Sequence, residues 1–312
     1  MREGLVAVQS EQPLSGVSLR QNDHPGLGFP LDVWTLSMSP VLRNLPAWGY
    51  NRPFCCVLYN PIVFPQIVDG LDGDVRAQTI LRLARNGGSR DEFRIRFVQS
   101  DGSLMNVELE PDPDLFFNKD TGYWVFKIKP GGSNTLRTKG SGSLKVGYAI
   151  IYHTKFEISG TAFYSWTQEG VKLFETGVPA AEPLKDFTIF FDAEPGLLQT
   201  GLALVNTGDG NASVTFRLYD RAGQLRSTRT WQSFLPVTID PTGNRGHQKA
   251  RFINEILPEL QELSLLGGII TVESDQPLAA VTIRQRDNPE LAFPDDLYLI
   301  TVFPVIPGRH DR

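Results

Sequence analysis

The sequence predicts an all-β chain of tandem antiparallel β-sandwich modules, with a short helix in the last one. Three observations carry the prediction: short runs of alternating apolar and polar residues, turn residues at regular intervals, and a pattern that repeats along the chain. Phe93-Arg94-Ile95-Arg96-Phe97 and Val214-Thr215-Phe216-Arg217-Leu218 place one side-chain type on each face, the period of a half-buried strand. Clusters such as Asn86-Gly87-Gly88, Asp101-Gly102 and Gly208-Asp209-Gly210-Asn211 interrupt these runs, and hairpins need such residues for positive φ.

The repeat sets the organisation. GLVAVQSEQPLSGVSLRQNDHPGLGFPLDVWTLSMSPV (residues 4–41) aligns without a gap on GIITVESDQPLAAVTIRQRDNPELAFPDDLYLITVFPV (residues 268–305). Identity holds at roughly two positions in five, turn residues included: Gln12-Pro13-Leu14 recurs as Gln276-Pro277-Leu278, and Phe29-Pro30 as Phe293-Pro294. A fainter ungapped match joins residues 79–104 to residues 200–225, pairing Leu81 with Leu202, Phe93 with Val214 and Gly102 with Gly223. Ser143–Trp166 loosely follows the register of Ser264–Arg286, and Asp192 matches Asp69. The inner period, about 120 residues, is a normal length for a sandwich domain.

The chain thus parses into residues 1–48, the second half of a module; residues 50–185, a complete module; residues 186–306, another; and a tail, residues 307–312. The Pro179-Ala180-Ala181-Glu182-Pro183 stretch suits an extended link. In the first piece, strands are predicted near Leu5–Gln9, Val17–Gln21 and Trp34–Ser39. Three strands without an opposing sheet leave an apolar face to be buried, by the neighbouring module, by the sheet edge of another chain, or by a preceding segment. In the last module, Phe252, Ile256, Leu257 and Leu260 are spaced for one helical face, and Pro258 breaks or kinks that helix.

FPQIVDG (residues 64–70), LRTKGSGSLKVGYAII (136–151), GVPAA (177–181) and ESDQPLAAVTIRQ (273–285) resemble modules repeated in large secreted or surface proteins of environmental bacteria. Those modules are immunoglobulin-like in general character. The resemblance covers nearly the whole chain and implies an extracellular or cell-surface setting. Its motifs are structural and bring no catalytic residues. Met1–Ser10 does not read as a secretory signal, which departs from that setting.

A net charge of −5, with Lys and Arg scattered, gives no basic stripe for nucleic acid, and no apolar run is long enough for a membrane span. Cys55 and Cys56 are adjacent within PFCCVLY, where buried free thiols are favoured over a strained vicinal disulfide. His24, His153, His247 and His310 lack metal-ligand spacing, Gly140-Ser141-Gly142-Ser143 lacks the order of a nucleophile elbow, and Asn211-Ala212-Ser213 is a formal glycosylation sequon in a turn. No cofactor is called for. Ca²⁺ held by Asp69, Asp72 and Asp74 is the one cation considered, although DGLDGD departs from the usual calcium loop.

The binding candidates are aromatic: Phe116, Tyr123, Trp124 and Trp166, with Phe117 in the same cluster. Rings on one exposed face would stack on sugars, whereas Tyr123-Trp124-Val125-Phe126 also reads as an ordinary packed strand. The insertion Glu110-Pro111-Asp112-Pro113-Asp114, without a counterpart in the later module, is where a module's own specificity would reside. The expectation is a non-enzymatic structural or adhesive protein whose partners are other protein chains or surface glycans. A carbohydrate-binding accessory protein is the alternative.

Overall fold

The computed structural model describes residues 18–23, 33–39, 61–85, 92–152, 158–236, 247–287, 297–303 and 305–308. The strand expected near Leu5–Gln9, Cys55 and Cys56, the Asn86-Gly87-Gly88 turn, Phe293-Pro294, and His24, His153 and His310 lie outside the described residues. The chain is all-β, with two large antiparallel sheets and one small hairpin. It divides into two compact units. One comprises Met1–Phe97, Asn106–Lys145 and Ala149–Ala180; the other comprises Val98–Met105, Val146–Tyr148 and Ala181–Arg312.

The hairpin pairs β1 (Ser18–Asp23) with β2 (Val33–Ser39). The first large sheet contains β3 (Ile62–Asp72), β4 (Val75–Arg85), β5 (Glu92–Gln99), β6 (Phe116–Asn118), β7 (Tyr123–Lys127), β8 (Ser133–Arg137), β9 (Lys145–Tyr152), β10 (Ile158–Gln168) and β11 (Val171–Pro179). Its order is β11-β10-β4-β3-β9-β5-β7-β6, with β8 on β4. The second contains β12 (Leu184–Glu194), β13 (Leu198–Asn206), β14 (Ala212–Asp220), β15 (Leu225–Phe234), β16 (Gln248–Phe252), β17 (Gly267–Asp287), β18 (Leu297–Phe303) and β19 (Ile306–Pro307). Its order is β15-β14-β17-β12-β13-β16, with β18 on β17 and β19 on β12.

One strand organises the second sheet. β17 pairs along Gly267–Ser274 with β12 and β14, then along Leu278–Arg286 with β13 and, near its end, with β18. The change of partner falls at Asp275-Gln276-Pro277, where a residue without an N–H costs no ladder bond. The Pro277 carbonyl instead accepts from the Thr207 amide and hydroxyl, both at 2.9 Å. The residues read from sequence as a turn therefore sit inside a strand that serves both halves of the sheet. In an immunoglobulin sandwich the two sheets are built from separate strands; here β17 runs through both halves of a single eight-stranded sheet. Its flanking strands enclose one core, including Phe187, Phe191, Leu204, Phe216, Ile270 and Leu278. Each such side chain contributes roughly 1.5–3 kcal/mol on burial.

In the first sheet β9 and β10 occupy the places of the two halves of β17, flanked by β5 and β3 and by β4 and β11. The likeness extends to single bonds. The Gln99 amide donates to the Ser103 carbonyl at 2.8 Å and the Gly102 amide to the Gln99 carbonyl at 2.9 Å. The matched Asp220 amide donates to Gln224 at 3.1 Å and Gly223 to Asp220 at 3.0 Å. Gly102 and Gly223 both have positive φ, 87° and 77°. A Cβ on Gly147 would strike the Val98 carbonyl, and one on the matched Gly268 would strike the matched Tyr219 carbonyl.

Two buried polar positions also correspond. The Thr79 hydroxyl accepts from the Val68 amide at 3.0 Å and donates to the Val68 carbonyl at 2.8 Å. Thr200 does the same to Asp192, at 2.9 and 3.1 Å. These bonds put Asp192 opposite Val68, one residue away from the sequence match to Asp69, because the hairpin before Thr79 is the longer. Arg85 and Asn206, both fully buried, are the second pair. Arg85 Nη1 donates to the Ile128 carbonyl just beyond β7 at 2.6 Å, and Asn206 Nδ2 donates to the Phe234 carbonyl at the end of β15 at 2.8 Å.

The small hairpin repeats the last one. β1 pairs with β2 as Ser18↔Ser39 through Asn22↔Thr35, with a bulge before Asp23↔Val33. The aligned β17–β18 ladder runs Thr282↔Phe303 through Arg286↔Leu299, with the same bulge before Asp287↔Leu297. β2 lies near β11. The helical periodicity near Pro258 is realised as two single turns, α1 (Ile253–Ile256) and α2 (Glu259–Glu262), separated by Leu257-Pro258. Ile253, Ile256, Leu257 and Leu260 join the core, while Phe252 ends β16.

Candidate functional site

The end of the first sheet gathers the aromatic residues. β7 pairs with β5, setting Phe126 opposite Phe93 and Trp124 opposite Ile95. β6 adds on the outside, with Phe116 opposite Val125 and Phe117 opposite Trp124. Strand alternation then puts Phe117, Trp124 and Phe126 on the face of Phe93 and Ile95. Phe126 is fully buried there, Trp124 is half-buried, and Phe117 is 38% exposed. Its ring lies 5.1 Å from that of Trp124, tilted by 48°. On the opposite face Phe116 is 53% exposed, while Tyr123 is buried beneath the Arg96 guanidinium, 5.0 Å from its ring.

Short-range hydrogen bonds hold this edge. Asp112 Oδ1 accepts from the Asp114 amide at 2.8 Å within the insertion that leads into β6. Asn118 Oδ1 accepts from the Asp120 and Thr121 amides at 3.0 and 3.2 Å, and Gly122, with φ of 70°, closes the hairpin. Such Asx turns fix a loop without burying it. Among the described residues of the second sheet the matching outer strand, β15, bears no additional strand of this kind.

Trp166 is elsewhere. It lies on β10, separated from β7 in the sheet order by β4, β3, β9 and β5, and its half-buried ring stacks on buried Phe174 with centroids 4.6 Å apart. The structure therefore groups Trp124 with Phe117, leaves Phe116 and Tyr123 on the other face of the same strands, and places Trp166 on a strand that does not adjoin them. Phe117 belongs to the same aromatic cluster in the sequence. Its signal is the hairpin Phe116-Phe117-Asn118-Lys119-Asp120-Thr121-Gly122-Tyr123-Trp124, aromatic on both sides of a turn.

The three acidic candidates do not converge. Asp69 is buried, and its Oδ1 accepts from the Gly140 amide at 2.8 Å; Asp72 and Asp74 are exposed around the hairpin end. Burial pushes the Asp69 carboxyl above its usual range, opposed by hydrogen bonds from Thr138 and Gly140. Among the described residues no three His, Cys, Asp or Glu side chains form a group to hold a metal ion. Gly140-Ser141-Gly142-Ser143 is the other half of this clasp. The Leu71 amide donates to Gly142 at 2.8 Å, the Leu144 amide to Leu71 at 3.0 Å, and a Cβ on Gly70 would strike Ser143. His247, half-buried, is the one described histidine of the four, and Asn211 is exposed at the start of β14.

No protein-family model, curated protein or solved structure matches the chain. No helix among the described residues is long and apolar enough to cross a membrane.

Proposed function

We propose that the chain is a non-catalytic structural or adhesive repeat protein of the cell surface or extracellular space. In this reading its units are β-sandwich modules of immunoglobulin-like general character, which hold a binding edge at a fixed place. The observation that carries it is a contrast. The interior bonds of the first sheet recur in the second at Thr79 and Thr200, Gly147 and Gly268, and Arg85 and Asn206, whereas the edge at β6 does not recur among the described residues. The buried polar groups are spent on holding strands together, and the departure is an inserted hairpin that exposes Phe116 and Phe117. Exposed aromatic rings on a rigid edge are the residues from which interfaces draw their affinity.

The test is binding of the full chain to a panel of polysaccharides and to intact bacterial cells, compared with a Phe116→Ser, Phe117→Ser variant whose circular dichroism is unchanged. Loss of surface binding in the variant supports the reading. Binding that survives the double change removes the edge from it. The carbohydrate-binding alternative rests on the Phe117–Trp124 ring pair. It requires saturable binding of a soluble oligosaccharide that quenches tryptophan fluorescence and is lost in Phe117→Ser.

A further inference from the structure

Half of the second sheet, β12 with the first part of β17, β14 and β15, has its core on one face. Ile189, Ile270 and Leu218 point into that core, so strand alternation turns Phe190, Ile269 and Tyr219 to the outer face, opposite one another on β12, β17 and β14. Leu225 of β15 pairs with Tyr219 and completes the row. Phe190 is 43% exposed and Leu225 53%, with Ile269 and Tyr219 half-buried between them. Neighbouring strands lie about 4.8 Å apart, so the four side chains make an apolar strip about 14 Å long across the strands. The Phe190 ring is braced edge-on by Phe303, with centroids 6.2 Å apart. Two residues along β12, β17 and β14, about 7 Å away, the next row is polar: Thr188, Thr271 and Arg217, with Thr228 opposite Arg217. Arg217 is ion-paired to Glu273, and both side chains remain partly exposed. In the first sheet the positions matched to Tyr219, Ile269 and Thr271 are Val98, Tyr148 and Ile150, all buried. The open face is therefore a departure from the repeat, as the β6 hairpin is.

We propose that this face binds a neutral, cellulose-type glucan chain laid along the apolar strip. A sugar whose hydroxyls are all equatorial has two apolar faces and sends its hydroxyls outward in the plane of the ring. Laid flat, such a ring covers aromatic and aliphatic side chains. Its hydroxyls then lie beside Arg217, Glu273 and the threonine hydroxyls, which offer both donors and acceptors. The linkage in this type of glucan keeps successive rings in one flat ribbon, which matches an unbroken strip on a sheet. A helical glucan meets the same strip with one ring at a time. The charge of Arg217 is compensated by Glu273, so an anionic glycan finds no spare counter-charge in this pair. The site lies on a different sheet from Phe116 and Phe117, and neither reading needs the other. Variants of the two places tell their failures apart.

The test is calorimetric titration of the full chain with cellohexaose. Saturable binding with a Kd below about 1 mM is expected. The double change Phe190→Ala, Tyr219→Ala is expected to weaken it about tenfold or more, and Phe116→Ser, Phe117→Ser to leave it unchanged. Absence of saturable binding overturns the proposal. So does binding that survives the change at Phe190 and Tyr219, binding that is lost with Phe116 and Phe117, or equal affinity for maltohexaose or an oligogalacturonate. Phe190→Trp gives a second measurement that does not depend on the alanine variant folding. It keeps an aromatic ring in the strip and makes it fluorescent. Cellohexaose is expected to change the emission of this variant beyond any change in the parent, and an identical response in both refutes the site.

Discussion

Replacing Thr79 by valine deletes one hydroxyl from the interior of the first sheet and changes little else. That hydroxyl serves both polar groups of Val68. Thr79 is 0% exposed and Val68 5% exposed, so water has poor access to the groups left behind. An orphaned buried donor or acceptor costs about 1–3 kcal/mol, and with two groups stranded the expected loss is about 2–4 kcal/mol. Thr200→Val removes the matched hydroxyl, but there Asp192 is only half-buried and its two bonds to Thr200 are part-buried. There the expected loss is about 1 kcal/mol. Urea unfolding of the two single variants, followed by tryptophan fluorescence, measures the difference. If Thr79→Val falls within about 0.5 kcal/mol of the parent, or costs no more than Thr200→Val, the assignment of stability to this bond pair is wrong.

Gly147→Ala and Gly268→Ala each drive a methyl group into a carbonyl of the neighbouring strand, and each is expected to cost about 3 kcal/mol or to yield insoluble protein, read as soluble yield and midpoint of thermal unfolding. Asn206→Ala leaves the carbonyls of Gly210 and Phe234 and the Gly208 amide without their partner, for an expected loss of about 2–4 kcal/mol by urea titration. Asp69 gives a pH signature of known sign. A carboxyl whose folded pKa is raised by burial favours the fold while protonated, so this contribution falls as pH rises from about 3.8 through the raised value. Asp69→Asn is expected to abolish that fall in a thermal-unfolding series across acidic pH. Asp220 has the opposite sign: hydrogen bonds from the Gln224 amide and Arg226 hold its carboxyl below the usual range, so the stability it lends is present above the usual carboxylate pKa and is lost in strong acid. Asp220→Asn is expected to matter least at the lowest pH at which the chain stays folded.

Much of the architecture was legible because its signals are local. Alternation at Phe93–Phe97 and Val214–Leu218, the turn glycines Gly102 and Gly223, and the break at Pro258 all depend on neighbours in sequence. The continuity of β17 was not legible. Gln276-Pro277 carries turn chemistry, and only the strands on either side, far away in sequence, decide that the backbone stays extended through it. The site was legible in part. Clustered aromatic residues marked the hairpin on which Phe116 and Phe117 are exposed, but exposure is a property of strand order. Trp166 and Tyr123 read like Trp124 in sequence yet pack against Phe174 and Arg96. The Asp-Gly of FPQIVDG and the Gly-Ser loop of LRTKGSGS read as unrelated motifs until Asp69 and Gly140 meet across the clasp.

The dependence of the second sheet on β17 also fixes when that sheet is able to form. β12, β13 and β14 leave the ribosome well before Gly267–Asp287, and none of their ladders with β17 exists until that late segment emerges. Hairpins form along the way, but the core around Phe216 and Leu204 stays open for the time taken to add the residues between them and β17, seconds at about 5–20 residues per second. Its Gly267–Ser274 part closes one half and its Leu278–Arg286 part the other, so a chain stopped short of Gly267 has neither half complete. A truncation between Ser274 and Leu278 therefore keeps the ladders with β12 and β14 and loses those with β13 and β18.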